Sequence, residues 1–150
     1  MLDHAAIEAL IPHRGAMCLL DGLLDWTAER ITCRATGHVA PDHPLRTASG
    51  LLSVVAIEYA AQAMALHGAL LARDSGGEAL PGFLASARGV MLHRARLDDL
   101  PGPLHIEAWR QAGDARQLLY AFSVRHAGET VAEGRVAVVL GIELPSQSAP

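Results

Sequence analysis

The sequence predicts an α+β fold in which an antiparallel sheet of about six strands wraps around one long central helix. The first observation is an apolar run over residues 51–72, in which Glu58 is the only charged residue. The second is the order of the other segments, since two strand-like segments precede this run and four follow it. A helix this apolar must be covered by other elements, and the strands are the only segments able to cover it.

The composition agrees with one domain spanning residues 1–150. Apolar residues make up 51% of the chain but aromatic residues only 4%, so Ala, Val, Leu and Ile must build the core. The net charge of −4 offers no general attraction for nucleic acid or for an anionic membrane. Cys18 and Cys33 lack metal-type spacing and the N-terminus lacks a secretion pattern, which predicts a cytoplasmic protein with free thiols.

Two helices are predicted. A short one covers residues 3–11, with Asp3 as its N-cap and a proline directly after it. The central helix covers about residues 50–72 and follows a Pro- and Gly-containing loop, in which Thr47 or Ser49 is the expected cap. Apolar stretches of about 20 residues can also span a bilayer. The polar Glu58, Gln62 and His67 near the middle of this one favour a core helix without membrane insertion.

Six strands are predicted from alternating or β-branched segments between turn residues. The last four are separated by short turn-like segments, which predicts that they form one antiparallel meander with one buried face. A Ser/Pro-rich tail over residues 143–150 is expected to fray. The predicted strands are residues 17–26, 30–37, 83–92, 104–111, 117–126 and 130–140.

Glu58 is the first candidate for a functional residue. An ionised carboxylate without a partner is costly in apolar surroundings and usually becomes neutral there. Of the helical neighbours three and four positions away, only Gln62 is polar. The alternative, a solvent-facing stripe on the helix, is therefore less favoured than a site residue.

Three stretches resemble the hotdog-fold 3-hydroxyacyl-acyl-carrier-protein dehydratases of the FabZ and FabA type. They are residues 11–21 (IPHRGAMCLLD), residues 54–62 (VVAIEYAAQ) and, more weakly, residues 100–104 (LPGPL). The start of the helix and Gly82-Phe83-Leu84 are most similar to the ApeP-like branch, a group of predicted dehydratases encoded with aryl-polyene pigment pathways. The similarity covers about residues 8 to 140.

This resemblance implies a dehydratase of fatty-acid-like or aryl-polyene biosynthesis that needs no cofactor. It implies an acyl carrier protein with a phosphopantetheine-linked acyl chain as partner. It also implies a dimer whose active site combines a loop of one protomer with the helix of the other, either as a homodimer or as a heterodimer with a related hotdog subunit. A hotdog acyl thioesterase and a catalytically weak subunit of a heteromeric dehydratase remain alternatives.

The resemblance also assigns candidate site residues. Glu58 matches the catalytic acid, while the position of the catalytic histidine is occupied by Pro44, so His43 one step earlier is the candidate base. The glycine whose amide polarises the thioester carbonyl is replaced by Ser53, and Gly50 lies three residues upstream. Backbone amides from Gly50 to Ser53 are therefore the candidate oxyanion donors.

Dehydration needs removal of a proton next to the thioester carbonyl and protonation of the departing hydroxyl. A neutral imidazole suits the first task, and a carboxyl group in an apolar helix suits the second. Gln62, one helical turn after Glu58, is placed to orient the carboxyl group by hydrogen bonding. The eight histidines show no metal-ligand spacing, so no metal site is predicted.

Two further features have alternative interpretations. His13 lies in the Pro-His-Arg segment, where the resemblance favours a structural role over a catalytic one. Arg88, Arg94 and Arg96 lie at even positions of one segment and are expected to share a strand face. That face is either a solvated edge or a docking surface for the acidic carrier protein or its phosphopantetheine arm.

Overall fold

A computed structural model describes residues 1–141, so the predicted frayed tail lies outside the described residues. Residues 1–141 contain two α-helices and six β-strands. The helices are α1 (His4–Glu8) and α2 (Ala56–Asp74), and the strands are β1 (Gly22–Trp26), β2 (Arg30–Ala35), β3 (Gly82–Leu92), β4 (Leu104–Gly113), β5 (Gln117–His126) and β6 (Glu129–Leu140).

The strands form one six-stranded sheet in the order β1-β2-β4-β5-β6-β3. Every neighbouring pair is antiparallel. α2 packs against β2, β4 and β5, the strands in the middle of the sheet. The predicted arrangement, an antiparallel sheet around one long helix, is confirmed.

Alternation along the strands builds the core beneath α2. In β4, Leu104, Ile106 and Ala108 are buried while the residues between them are partly exposed. The helix contributes the fully buried Tyr59 and Leu66 to the same core. By length and composition alone, the helical segment over residues 53–74 could cross a membrane. Half of its most apolar 18-residue stretch is, however, buried inside the fold. This is the burial expected of a core helix in contact with a sheet.

The four C-terminal strands do not form the predicted meander. β4, β5 and β6 do follow one another as neighbours, but β3 pairs with β6 at the far edge, where Phe83 lies opposite Val139. The connection from β3 to β4 covers residues 93–103 and is too long for a tight hairpin turn, so it carries the chain across the sheet. Within residues 1–141, β3 therefore has one unpaired edge.

The N-terminal elements are shorter than predicted. Asp3 caps α1 as expected, since its Oδ1 accepts a hydrogen bond from the Ala6 amide at 3.0 Å. β1 begins only at Gly22, after a 3-10 turn over Gly15–Met17 and residues 18–21, which have no regular secondary structure. Another 3-10 turn, Ser53–Val55, precedes α2, which therefore starts later than expected.

The predicted cap of α2 is wrong. Neither Thr47 nor Ser49 reaches the helix, because the Thr47 hydroxyl donates to the Gly50 carbonyl at 2.9 Å and closes a tight loop instead. The amides of Gly50 and Thr47 donate to each other's carbonyls, which completes that loop.

Candidate active site

Glu58 lies in the first turn of α2, and its side chain is 35% exposed in the single chain. Two side-chain nitrogens converge on its Oε1: Gln62 Nε2 donates a hydrogen bond at 3.0 Å, and His13 Nε2 lies 3.1 Å away. Within residues 1–141, Oε2 accepts no hydrogen bond from a protein group. The carboxyl group is thus held at one oxygen and open at the other.

Gln62 is fully buried and connects α2 to the segment before β1. Its Oε1 accepts a hydrogen bond from the Leu19 amide at 2.8 Å, and its Nε2 donates to the Met17 carbonyl at 2.8 Å. These bonds fix the amide group, so the Glu58 contact predicted from helical spacing has a rigid donor. A role of Gln62 in binding substrate stays a prediction.

His13 reaches Glu58 from the loop after α1. The Arg14 guanidinium donates to the carbonyls of Glu8, Ile11 and His13, which holds this loop in one shape. The Gly15 amide donates to the Glu8 carboxylate at 2.7 Å and closes the loop from its other side. The His13 Nδ1 atom is buried and has no partner among the described residues.

His43 is buried and faces Tyr59 rather than Glu58. Its Nδ1 accepts a hydrogen bond from the Leu45 amide at 3.1 Å, so the neutral ring carries its proton on Nε2 and donates it to the Tyr59 hydroxyl at 3.1 Å. Burial lowers the pKa of His43, and the neighbouring His38 and Arg46 lower it further. The structure does not bring His43 to Glu58 within one chain, and its catalytic role stays a prediction.

Of the candidate oxyanion amides from Gly50 to Ser53, those of Gly50, Leu51 and Ser53 are engaged, and the Leu51 amide donates to Asp98 Oδ1 at 2.9 Å. The Gly50 amide donates to the Thr47 carbonyl at 3.0 Å and the Ser53 amide to the Ala95 carbonyl at 3.1 Å. An amide that already has an acceptor must release it before it can polarise a thioester. The role of the three engaged amides is therefore a prediction that requires this loop to rearrange.

Asp98 anchors the loop that leads into α2. Its side chain is buried and accepts hydrogen bonds from the Leu51 amide at 2.9 Å and from Arg96, with Arg46 3.2 Å away. The Arg96 hydrogen bonds are the largest cause that holds the pKa of Asp98 well below its usual range. Sequence analysis missed this cluster, because its members are polar residues of separate loops.

The three arginines do not share one strand face, because β3 ends at Leu92. Arg94 pairs with Glu129 at 3.2 Å, and Arg96 pairs with Asp98. Arg88 lies on β3 directly opposite Arg135 of β6. Of the three arginines predicted to form a docking surface, only Arg88 lies on β3, and its neighbour on β6 is Arg135.

The two cysteines are free thiols, as expected from the sequence, and both are buried. Burial raises the pKa of Cys33 to about 12, so this thiol is unreactive at neutral pH. In the part of the chain that the structure describes, no three His, Cys, Asp or Glu side chains form a group that could hold a metal ion.

The sheet curved around α2 defines a hotdog fold, and solved structures with this fold resemble the chain over most of its length. The dehydratase heterocomplex ApeI:P from Xenorhabdus doucetiae superposes with a TM-score of 0.80 at 19% identity, covering 95% of this chain and 92% of that chain. The thioesterase HI1161 from Haemophilus influenzae gives a TM-score of 0.66 at 14% identity, with coverage of 99% and 96%. A hypothetical thioesterase from Streptococcus pneumoniae, solved with coenzyme A, gives 0.55 at 11% identity, with coverage of 79% and 84%.

At identities below 20%, these structural matches establish the fold alone. The family is established by a match between the sequence and a family profile. The chain belongs to the ApeP-like family, described as ApeP dehydratase, whose profile matches residues 5–146. The predicted dehydratase branch is confirmed. None of the curated proteins compared with the chain matches it.

Proposed function

We propose that this chain removes water from 3-hydroxyacyl thioesters carried by an acyl carrier protein, in cytoplasmic fatty-acid-like or aryl-polyene biosynthesis. The observation that carries the proposal is the Glu58 carboxyl group, which is fixed at Oε1 and open at Oε2. A general acid must be held in position yet able to reach the departing hydroxyl. Membership of the ApeP dehydratase family supports the same chemistry.

In the proposed reaction, Glu58 protonates the hydroxyl group that leaves the 3-position. The proton on the carbon next to the thioester passes to an imidazole, and the products are a 2-enoyl thioester and water. Gln62 keeps the carboxyl group aligned through a hydrogen bond whose donor is anchored by the backbone of residues 17–19. Amides between Gly50 and Ser53 are the proposed donors to the enolate oxygen.

Replacement of Glu58 tests this proposal. Glu58→Gln keeps the shape of the side chain but removes its proton, and we expect turnover to fall by at least ~100-fold. Steady-state formation of the enoyl product on a 3-hydroxyacyl carrier-protein thioester measures it. Glu78→Gln, at an exposed carboxylate after α2, is the matched control and should keep full turnover. Turnover by Glu58→Gln equal to that of the wild type would exclude Glu58 as the acid.

The thioesterase alternative is separated in the same assay. A thioesterase directs water at the carbonyl and releases a free thiol, whereas a dehydratase leaves the thioester intact. Following the thiol alongside the enoyl product therefore distinguishes the two reactions on one substrate. Thiol release without enoyl product would replace the dehydratase proposal with the thioesterase alternative.

We also propose that the chain works as a dimer with a second hotdog subunit. Among the described residues nothing pairs with the outer edge of β3, and four of its large apolar residues are exposed in the single chain: Phe83, Leu84, Met91 and Leu92. An apolar strand with an open edge is a template for pairing with another strand. Leu52 and Val54, close to Glu58, are exposed as well, so the acid lies beside an uncovered apolar surface. The relative from Xenorhabdus doucetiae is itself a heterocomplex.

Introducing charge on this strand should prevent the pairing. We expect Met91→Lys to convert the dimer to a monomer in analytical ultracentrifugation, because a buried unpaired ammonium group costs several kcal/mol. Leu119→Lys, at an exposed leucine of β5, is the control and should leave the assembly unchanged. A wild-type chain that is monomeric alone but dimeric with a related hotdog subunit would select the heterodimer. A dimer that survives Met91→Lys would contradict pairing through β3.

The carrier protein is proposed to dock on the outer face of the sheet next to β3. Arg88 and Arg135 lie side by side there, and no acidic residue of the described chain pairs with either of them. They line a groove of about 750 Å³ together with Arg125, Trp109 and Glu133, whose carboxylate lies 2.8 Å from His93 Nε2. Like charges on neighbouring strands destabilise the sheet unless an anionic group offsets them, and an acidic carrier protein supplies such groups.

A further inference from the structure

We propose that Asp98 is a positioning residue of the active site, which holds the chain before α2 so that the Leu52 amide is free to bind the thioester carbonyl. This inference rests on the proposed dehydratase function and names one donor to its enolate oxygen. The donor and the acid Glu58 then come from the same chain, whichever protomer supplies the imidazole.

Asp98 is a buried charge at the base of the loop that leads into α2. Its side chain is 1% exposed, Arg96 Nε donates to its Oδ1 at 3.0 Å, and Arg46 Nη2 lies 3.2 Å from its Oδ2. Taking a carboxylate out of water is costly unless it is paired and hydrogen-bonded. Arg46 belongs to the loop before α2 and Arg96 to the connection after β3, so this carboxylate ties two separate segments together.

The same carboxylate bonds directly to the backbone before α2. Asp98 Oδ1 accepts a hydrogen bond from the Leu51 amide at 2.9 Å. A Cβ on Gly50 would lie 2.6 Å from this oxygen, so the carboxylate approaches closely only because position 50 is a glycine. Catalytic groups must be held within a fraction of an ångström, and Asp98 supplies that support to the residues directly before Leu52.

The amides of this segment point in two directions. Leu52 forms an isolated antiparallel bridge with Arg96, and the Ser53 amide donates to the Ala95 carbonyl at 3.1 Å on that side. Successive N–H groups of a bridged segment point to opposite sides, so the Leu52 amide points away from Arg96. Within residues 1–141 it donates to no protein group. It can therefore bind a carbonyl without first breaking a bond, unlike its neighbours from Gly50 to Ser53.

The free amide and the acid lie at the same end of α2. Leu52 is 38% exposed in the single chain and directly precedes the 3-10 turn Ser53–Val55, and Glu58 follows in the first turn of the helix. Helical side chains lean toward the N-terminus of their helix, which brings the Glu58 carboxyl group back toward Leu52. As the proton leaves C2, the carbonyl oxygen gains negative charge, and an N–H group aimed at it stabilises that charge.

A proline at position 52 tests the donor in the full chain, assembled with its partner subunit where it has one. The φ of Leu52 is −67°, the angle that a proline ring imposes, and proline has no N–H. Leu52→Ala is the matched comparison, because it shortens the side chain but keeps the N–H. We expect kcat of Leu52→Pro to lie at least ~100-fold below that of Leu52→Ala, the scale for losing one oxyanion donor. Equal kcat values in the two folded variants would overturn the role of this amide.

Asp98→Asn tests the positioning role, since it keeps an acceptor for the Leu51 amide but removes the charge shared by Arg46 and Arg96. We expect kcat to fall at least ~10-fold, with KM within about threefold of the wild type, because the donor is misplaced while substrate still binds. Asp99→Asn, at the exposed neighbouring carboxylate, is the matched control and should keep full turnover. An Asp98→Asn variant that is less stable in urea but has the wild-type kcat would show a purely structural role and overturn the inference.

The double variant Asp98→Asn/Leu52→Pro separates positioning from an independent effect. If Asp98 acts through the Leu52 amide, the double variant should be no slower than Leu52→Pro alone, because both changes remove one interaction. Losses that multiply in the double variant would overturn the link between the two residues.

NMR of the wild type tests the donor even where Leu52→Pro does not fold. On addition of a 2-enoyl pantetheine thioester, the backbone amide signal of Leu52 should shift more than those of Leu51 and Ser53. Asp98→Asn should reduce the Leu52 shift. A Ser53 signal that shifts most would overturn the assignment, because it would show that the bridge to Ala95 opens for the substrate.

The outcomes also distinguish this inference from the function on which it rests. Absence of enoyl product from the wild type overturns both. Loss of turnover in Glu58→Gln, with Leu52→Pro as fast as Leu52→Ala and Asp98→Asn as fast as the wild type, overturns only the roles of Asp98 and the Leu52 amide.

Discussion

His43 and Tyr59 form a buried pair that links the loop before α2 to the helix itself. The histidine is 8% exposed and the tyrosine is fully buried, and both polar groups depend on each other for a hydrogen bond. Burial raises the pKa of Tyr59 well above its usual range, so its hydroxyl stays protonated. His43, the candidate base from sequence similarity, therefore has a structural role in this chain.

His43→Ala should reduce the free energy of unfolding by about 1–3 kcal/mol, because the Leu45 amide loses its acceptor and Tyr59 its partner. Urea unfolding measures the change. His105→Ala, at a partly exposed histidine of β4, is the comparison and should stay within about 0.5 kcal/mol of the wild type. Equal stability of the two variants would contradict the structural role of His43.

At the scale of elements, the start of α2 is determined by the loop packed against it. Gly50 has φ of 99°, and a Cβ at this position would lie 2.6 Å from Asp98 Oδ1. The absence of a side chain lets the buried carboxylate reach the Leu51 amide and position the turn that precedes the helix. The glycine is thus required by close packing as well as by backbone conformation.

Two glycine substitutions should therefore have opposite effects. Gly50→Ala should destabilise the fold by about 1–3 kcal/mol, because it adds a strained backbone and a steric overlap. Gly68→Ala should stabilise it by up to about 1 kcal/mol, since this glycine is inside α2 and a Cβ there meets nothing within 4 Å. Thermal and urea unfolding of both variants check the signs, and a destabilised Gly68→Ala would show that this face of the helix is closely covered.

At the scale of the whole molecule, three buried histidines connect distant parts of the fold. His38 contacts the Leu100 carbonyl at 2.8 Å, His43 contacts Tyr59, and His67 on α2 connects Tyr120 of β5 to the Thr27 carbonyl at 2.7 Å each. Burial is the largest cause that lowers the pKa of each histidine. All three are therefore neutral in the folded state at neutral pH.

This burial predicts that stability falls in mild acid. The unfolded chain takes up protons on these histidines as pH falls through about 6.5, the usual histidine pKa, while the folded chain does so only at lower pH. Between these values the unfolded state binds more protons, so the free energy of unfolding decreases with falling pH. Urea unfolding at pH 7.5 and 5.5 measures it, and His67→Gln should show a smaller decrease. A free energy of unfolding that is independent of pH in this window would refute the prediction.

The sequence alone determined most elements and the main candidate acid. β5 is predicted to the residue, and β3, β4 and β6 to within two residues at either end, because alternation and turn residues are local properties of the chain. Glu58 was identified by its isolation in an apolar helix, and the Asp3 cap by its position before a short helical pattern. Family membership followed from short motifs in the same way.

The tertiary structure decided what depends on distant parts of the chain. β3 lies beside β6 because a long connection crosses the sheet, and no local pattern specifies which strand it meets. The contact of His13 with Glu58, and that of His43 with Tyr59, arise where separate segments pack on α2. Periodicity reveals which face of an element is buried, but only packing in three dimensions determines which side chains come within 3 Å or so of each other.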